Sequence, residues 1–225
     1  MPENNKNKTI IFLRAPEKGT VKTRLATSLD HETVLDLYKG FVIDTLAAAA
    51  PVSDITLYCW PPEKKTMVSD WLQNYPVRPQ SGGDIGEKMS NAFQEMFDSG
   101  IHKAILIGTD IPDVTTEILS QAFSMLDNND LVLAPAQDGG YYLIGFNSQT
   151  FSPVVFEDIN WSTPTVLQET LAIVNQNNYR CYLLPELNDI DTVADLKALY
   201  QRCMDGHRTG SKTTANLMTI AIEDS

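Results

Sequence analysis

With 225 residues, 43% hydrophobic and 20% charged, the chain has the balance of a globular protein and the length for one large core. Its net charge of −12 argues against non-specific nucleic-acid binding, which needs basic surface to displace counterions. No apolar run is long enough to insert in a bilayer; the best, Phe41–Val52, is interrupted by Asp44, and the first eight residues lack the apolar core of a signal peptide or anchor. Cys59, Cys181 and Cys203 are odd in number and widely spaced, which suits a reducing cytoplasm and gives neither a disulfide framework nor a zinc site.

Thr9–Leu13 reads as a first strand, β-branched and aromatic with no helical period. It runs into Arg14–Arg24, where Arg14, Lys18, Lys22 and Arg24 stand against Glu17 alone in an otherwise acidic chain. Such a loop is either a phosphate cradle, through charge-assisted hydrogen bonds, or a solvated surface. The spacings GxxxxGK[ST] and GxGxxG are both missing. Val34, Leu37, Tyr38, Phe41, Val42 and Leu46 then mark one face of a helix, and Ile55–Cys59 a second strand. Met67, Val68, Trp71 and Leu72 indicate a short amphipathic helix. In the loop from Val77 to Met89, Gly82, Gly83 and Gly86 let the backbone approach something closely, and Asp84 is placed to N-cap a helix carrying Ile85, Met89, Phe93 and Phe97. A base or sugar on this loop and a plain turn into a capped helix fit it equally.

Ala104–Ile107 has the unbroken apolar character of a strand buried on both faces. Asp110 follows at the strand's exit, where open α/β sheets bind ligands. It is therefore placed to hold a cation or a hydroxyl, unless Thr109, Asp110 or Asp113 merely caps the next helix. That helix carries Ile118, Leu119, Ala122, Phe123 and Leu126. Leu131–Ala134 and Tyr141–Phe146 are two apolar runs joined through Asp138-Gly139, a hairpin signal that makes Asp138 a turn residue on local grounds. Thr163-Pro164 reads as N-cap and first residue of a helix burying Val166, Thr170 and Val174. Tyr179–Leu184 is a last strand, and Thr192–Asp195 opens a helix with Leu196, Leu199, Tyr200 and Cys203. The chain turns polar from Met204, and residues 1–8 and about 206–225 read as peripheral, with packing of Leu217–Ile222 left open. Strands alternating with helices predict one α/β domain (residues 1–225) with a mixed, mostly parallel sheet covered on both faces.

Pro16–Leu25, Gly83–Met89, Gly108-Thr-Asp-Ile-Pro112, Asp138–Gly145 and Trp161-Ser-Thr163, in that order, resemble the bacterial GT-A-type glycosyltransferases found beside radical-SAM and selenium- or arsenosugar-related genes. Asp189-Ile-Asp-Thr192 also resembles the ending of molybdopterin- and phospholactate-type nucleotidyltransferases, which share that fold. The resemblance implies a nucleotide-binding transferase with a Rossmann-like GT-A domain, Mg²⁺ or Mn²⁺ as cofactor, and a nucleotide sugar or nucleotide and a small-molecule acceptor as partners. It places Lys22 and Arg24 on the phosphates and the Gln80–Gly83 loop, with Asp84, near the base. Asp110 matches the metal-binding aspartate, but only the last aspartate of the usual Asp-x-Asp is present, so either Asp138 or Asp191 supplies a second ligand or water fills the shell. Tyr141 and Trp161 would border the acceptor, with Asp138 a base if it is not a ligand. Glycosyl transfer is the first expectation, nucleotidyl transfer the alternative, and a non-catalytic nucleotide-binding module the third.

Overall fold

In the computed structural model, which describes residues 7–205 and 211–218, the strands are β1 (Asn7–Arg14), β2 (Asp54–Trp60), β3 (Val77–Pro79), β4 (Lys103–Ile107), β5 (Leu131–Pro135), β6 (Tyr141–Asn147) and β7 (Cys181–Leu183). The helices are α1 (His31–Ala49), α2 (Lys65–Trp71), α3 (Ile85–Asp98), α4 (Thr116–Met125), α5 (Val166–Gln176), α6 (Val193–Met204) and α7 (Lys212–Leu217). They build one sheet of order β3–β2–β1–β4–β6–β5–β7. Its pairings are parallel except where β6 meets β4 and β5, so the expected hairpin supplies the reversed strand of a mostly parallel sheet.

Side-chain alternation splits the core between the two faces. Ile11, Leu13, Leu57, Ile105 and Val132 pack with α1, α2 and α4. Ile10, Phe12, Leu106, Leu133 and Ile144 face α3, α5 and a phenylalanine cluster. In that cluster Phe93 meets Phe146 edge-on at 5.1 Å between centroids, a contact contributing about 0.5–1.5 kcal/mol beyond burial. A third cluster lies on the outer side of α1, where Leu37 and Phe41 pack with Leu196, Leu199 and Leu217.

Five boundaries differ from the sequence expectation, each for a physical reason. Asn7 and Lys8 are not peripheral; they begin β1. Val77–Pro79, read as loop, forms a three-residue parallel edge strand against β2, where Pro79 is tolerated. The helix expected from Thr163-Pro164 starts at Val166, because the Thr163 hydroxyl donates to the Asn160 carbonyl at 2.7 Å and is spent on the preceding turn. The strand expected over Tyr179–Leu184 narrows to Cys181–Leu183, an edge with Leu183 exposed. The tail contains α7, whose Leu217 and Thr213 are fully buried. Its first N–H groups, of Lys212 and Thr213, donate to the Asp44 carboxylate at 2.8 and 2.9 Å, so the charge that interrupts the apolar run of α1 serves a helix terminus. The rest of the Leu217–Ile222 stretch beyond Met218 lies outside the described residues. Among the described residues no helix is long and apolar enough to cross a membrane.

Candidate active site

The carboxyl ends of β1 and β4 open side by side, since the two strands pair in parallel register. The Tyr38 hydroxyl, reaching over from α1, both accepts from the Arg14 N–H and donates to the Arg14 carbonyl, each at 2.8 Å, which fixes the point where β1 ends. Burial, and then the charge of Asp110, raise the hydroxyl's pKa well above its ordinary value, so it stays protonated in this structural role. The basic loop beyond is pinned by buried Ala15, Val21 and Leu25 and by Lys64, which donates to Glu17 at 2.7 Å. Lys22 sits between those anchors in the left-handed region, φ 45°, a conformation costly for a side chain with a Cβ.

What holds Lys22 there is charge. Its side chain is 4% exposed, and its Nζ lies 3.1 Å from Asp110 Oδ1 and 2.8 Å from Asp191 Oδ1. Burial alone would depress the ammonium, but Asp110 and Asp191 more than offset it and hold the pKa above the ordinary lysine value. Arg24 Nη1 takes the other oxygen of Asp191 at 3.2 Å. Asp191 arrives from the far end of the chain because buried Ile190 donates its N–H to the Asp110 carbonyl at 3.0 Å. Behind it, the Thr192–Asp195 capping box opens α6, and Asp195 also accepts the Asp191 N–H at 3.1 Å. The alternative of Asp110 as a helix cap is removed: α4 is capped by Thr115, and Asp113 accepts from Arg202 at 2.7 Å.

Two cavities meet at this group and share Phe12, Arg24, Ile85, Gly108, Asp110 and Asp191 as a common wall. The first, about 480 Å³, is lined by Arg14, Thr20, Lys22 and Thr23 on one side and by Trp60, Gln80 and Lys88 on the other. The Lys88 ammonium stands 3.8 Å from the Trp60 ring centre, and the Gln80 amide is held by a 3.0 Å bond from its Nε2 to the Tyr58 carbonyl. The second, about 580 Å³, is bounded by Met89, Leu106, Ile144, Tyr141, Trp161, Asp138 and Asp189. Burial and the charges of Asp191 and Asp138 push the Asp189 carboxyl upward.

Of the sequence-predicted residues, Arg14, Lys22, Arg24, Gln80, Asp110 and Asp191 line the first cavity, and Asp138, Tyr141 and Trp161 the second. Lys18, Gly83 and Asp84 are absent from both linings. Lys18 donates to Glu32 at 3.0 Å; the Gly83 N–H is taken by Glu87; Asp84 caps α3 as its sequence position suggested. Asp138 Oδ1 accepts the Gly140 N–H at 2.8 Å, so the turn role and a place in the cavity coexist. The Tyr141 hydroxyl is buried and finds no hydrogen-bond partner among the described residues. The close approach signalled by Gly86 is to protein: a Cβ there would stand 2.4 Å from the Trp161 indole. Sequence reasoning passed over Trp60, Lys88 and Asp189, although Lys88 and Asp189 stood inside quoted motifs.

Among the described residues no three His, Cys, Asp or Glu side chains converge as a ready metal cage. Asp110 and Asp191 nevertheless already hold one cationic group, the Lys22 ammonium, between them. Two carboxylates with water completing the shell is a donor set that suits Mg²⁺ or Mn²⁺.

The chain is 35% identical to a candidate nucleotide-diphospho-sugar transferase from Desulfovibrio desulfuricans G20, whose crystal structure superposes with a TM-score of 0.89 over 95% of this chain and 94% of that one. It is 23% identical to the 2-phospho-L-lactate guanylyltransferase of Methanocaldococcus jannaschii, across 91% of this chain and 87% of the relative. The 4-diphosphocytidyl-2C-methyl-D-erythritol synthase of Anaerococcus prevotii shares the fold alone, with 10% identity and a TM-score of 0.59 over 88% of this chain and 98% of that one. Relatives of the chain are thus transferases acting with nucleotides. Residues 43–163 match the family model described as "Uncharacterized protein conserved in bacteria (DUF2064)", and the chain belongs to that family.

Proposed function

We propose that the protein is a transferase that takes a nucleotide-diphosphosugar in the first cavity and passes the sugar to a small acceptor in the second. The observation that carries this reading is the junction: two cavities sharing a wall that holds Asp110, Asp191 and Arg24, with Lys22 bridging the two aspartates from the first side. A pyrophosphate spanning that junction would draw Lys22 and Arg24 from carboxylate to phosphate oxygens, exchanging one set of charge-assisted hydrogen bonds for another. Arg14 and the Thr20–Thr23 segment would carry the remaining phosphate charge, and Trp60 and Gln80 would border the base. An acceptor hydroxyl attacks the anomeric carbon as the carbon–oxygen bond to the β-phosphate breaks, and the electron pair leaves with the nucleoside diphosphate. Asp138 would take the hydroxyl proton through Oδ2, the oxygen its own turn does not use. Asp110 and Asp191 would hold Mg²⁺ or Mn²⁺, which supplies neutralisation of charge on the departing phosphate.

A second reading, nucleotidyl transfer, is favoured by the guanylyltransferase relative. There an acceptor phosphate attacks the α-phosphorus of a nucleoside triphosphate and pyrophosphate departs. Product analysis separates the two over a panel of nucleotide sugars, nucleoside triphosphates and acceptors with Mg²⁺ or Mn²⁺. Nucleoside diphosphate release supports the first, inorganic pyrophosphate the second. Nucleotide binding without turnover across the panel would leave a non-catalytic module.

A further inference from the structure

We infer that the second cavity selects an acceptor with an apolar body and no anionic group, an alcohol or amine rather than a phosphate monoester or carboxylate. This rests on reading that cavity as the acceptor side. Its walls are apolar over most of their extent: Leu106 and Ile144 from the sheet, Met89 from α3, Ile111 and Val114 after β4, and the Trp161 indole packed on Gly86. Its charged groups are unbalanced. Asp110, Asp138, Asp189 and Asp191 line it, with Arg24 as the single cationic side chain there among the described residues.

Arg24 is already bonded to Asp191, and Lys22, across the shared wall, to Asp110 and Asp191. Asp138 and Asp189 have no ion-pair partner among the described residues. At the N-terminus of α5, a place that can attract anions, the first two N–H groups are engaged as well. Its Val166 N–H donates to the Thr163 carbonyl at 3.4 Å and its Leu167 N–H to the Gly139 carbonyl at 2.9 Å. A phosphate or carboxylate entering here would meet the like charges of half-buried Asp189 and exposed Asp138, neither of them held in an ion pair among the described residues, and would be repelled. An alcohol meets no such penalty, and an ammonium is attracted. With Asp110, Asp191, Lys22 and Arg24 given over to the metal and the nucleotide's phosphates, Asp138 and Asp189 are the charged side chains left to face the acceptor; they disfavour a phosphorylated one, which weighs for sugar transfer over nucleotidyl transfer.

The test uses four ligands with one shared body: 2-phenylethanol, phenethylamine, phenylacetate and 2-phenylethyl phosphate. Each is titrated by ligand-detected NMR against the full chain saturated with nucleoside diphosphate and Mg²⁺, whose binding is first read by thermal shift. The alcohol and the amine should bind at least about tenfold more tightly than the two anions. The gap should close to within about threefold in the Asp138→Asn/Asp189→Asn double variant and shrink as salt rises from about 0.05 to 1 M, because both changes remove the repelling field. Should the double variant not fold, the salt series on the parent chain decides. Anions binding as tightly as the alcohol, a gap indifferent to salt, or binding by none of the four overturns the inference. A chain that binds no nucleotide overturns the transferase reading whatever the probes do; nucleotide binding with a preference for anions overturns this inference alone.

Discussion

Replacing Lys22 by methionine tests the junction most directly, since it keeps an unbranched apolar stem, one atom shorter, and removes the charge and its donors. The two arms of the ion pair carry different weight. Asp110 is 54% exposed, so water takes over its share and the arm is comparable to a surface pair at about 0.2–1 kcal/mol. Asp191 is 33% exposed and bonded at 2.8 Å, nearer the roughly 1.5–3 kcal/mol of a charge-assisted bond. Against these stands the burial of an ammonium on a 4% exposed side chain, which methionine avoids. The net expectation is a loss of about 1–2 kcal/mol, or roughly 3–6 °C in Tm for a chain of this size. The pH dependence has a definite sign. A folded pKa raised above the unfolded value makes the contribution complete below about 10.5 and lost as pH rises through the folded value. The parent should therefore lose stability at alkaline pH that the variant never had. Calorimetric titration of nucleoside, diphosphate and triphosphate is the functional half: the phosphorylated ligands should weaken about tenfold to a hundredfold and the nucleoside hardly at all. A folded Lys22→Met chain that keeps its triphosphate affinity would refute the phosphate role of this lysine.

Arg24→Ala should weaken diphosphate binding by less than Lys22→Met does, because its side chain is 75% exposed; calorimetry on the two variants ranks them. Asp110→Asn should retain the fold, since Asp110 caps no helix, and should abolish metal-dependent turnover by at least about a hundredfold; equal Mn²⁺ enhancement of nucleotide binding in the variant counts against the assignment. Gly86→Ala puts a Cβ 2.4 Å from the Trp161 ring and should cost about 1–3 kcal/mol while displacing the indole, seen as altered tryptophan fluorescence with nucleotide affinity unchanged. Trp161→Ala should cost less than the roughly 3–5 kcal/mol of a fully buried tryptophan, because it is only half-buried, and should impair transfer more than nucleotide binding; activity that merely follows the folded fraction would make it a packing residue.

Short unbroken apolar runs made the sheet readable, because strands such as Ala104–Ile107 are buried on both faces and are too short and too sharply bounded to be helices. Elements stabilised from elsewhere were not readable. Val77–Pro79 is strand only because β2 offers an edge, and α7 is polar by composition and exists against Gly40 and Asp44 of α1. The same division runs through the site. The basic loop stood out locally, as charge in an acidic chain, and Asp110 by its place after β4. The Lys22–Asp191 contact joins residues 169 positions apart and has no local signature. Asp191 entered only through a resemblance to other transferases. Lys88 and Trp60 escaped because a cation over an indole needs two elements to be placed before either residue means anything.

That 169-residue contact gives the protein a schedule as well as a site. The junction cannot be complete until the segment carrying Ile190 and Asp191 has docked on Asp110, so its formation waits on a contact distant in sequence. Once formed, it ties the loop after the first strand to the start of α6, and a ligand lying across it fastens the chain's early and late segments together. Ligand occupancy should then be felt as slower hydrogen exchange in both segments at once, the beginning and the end of the chain reporting on a molecule that sits between them.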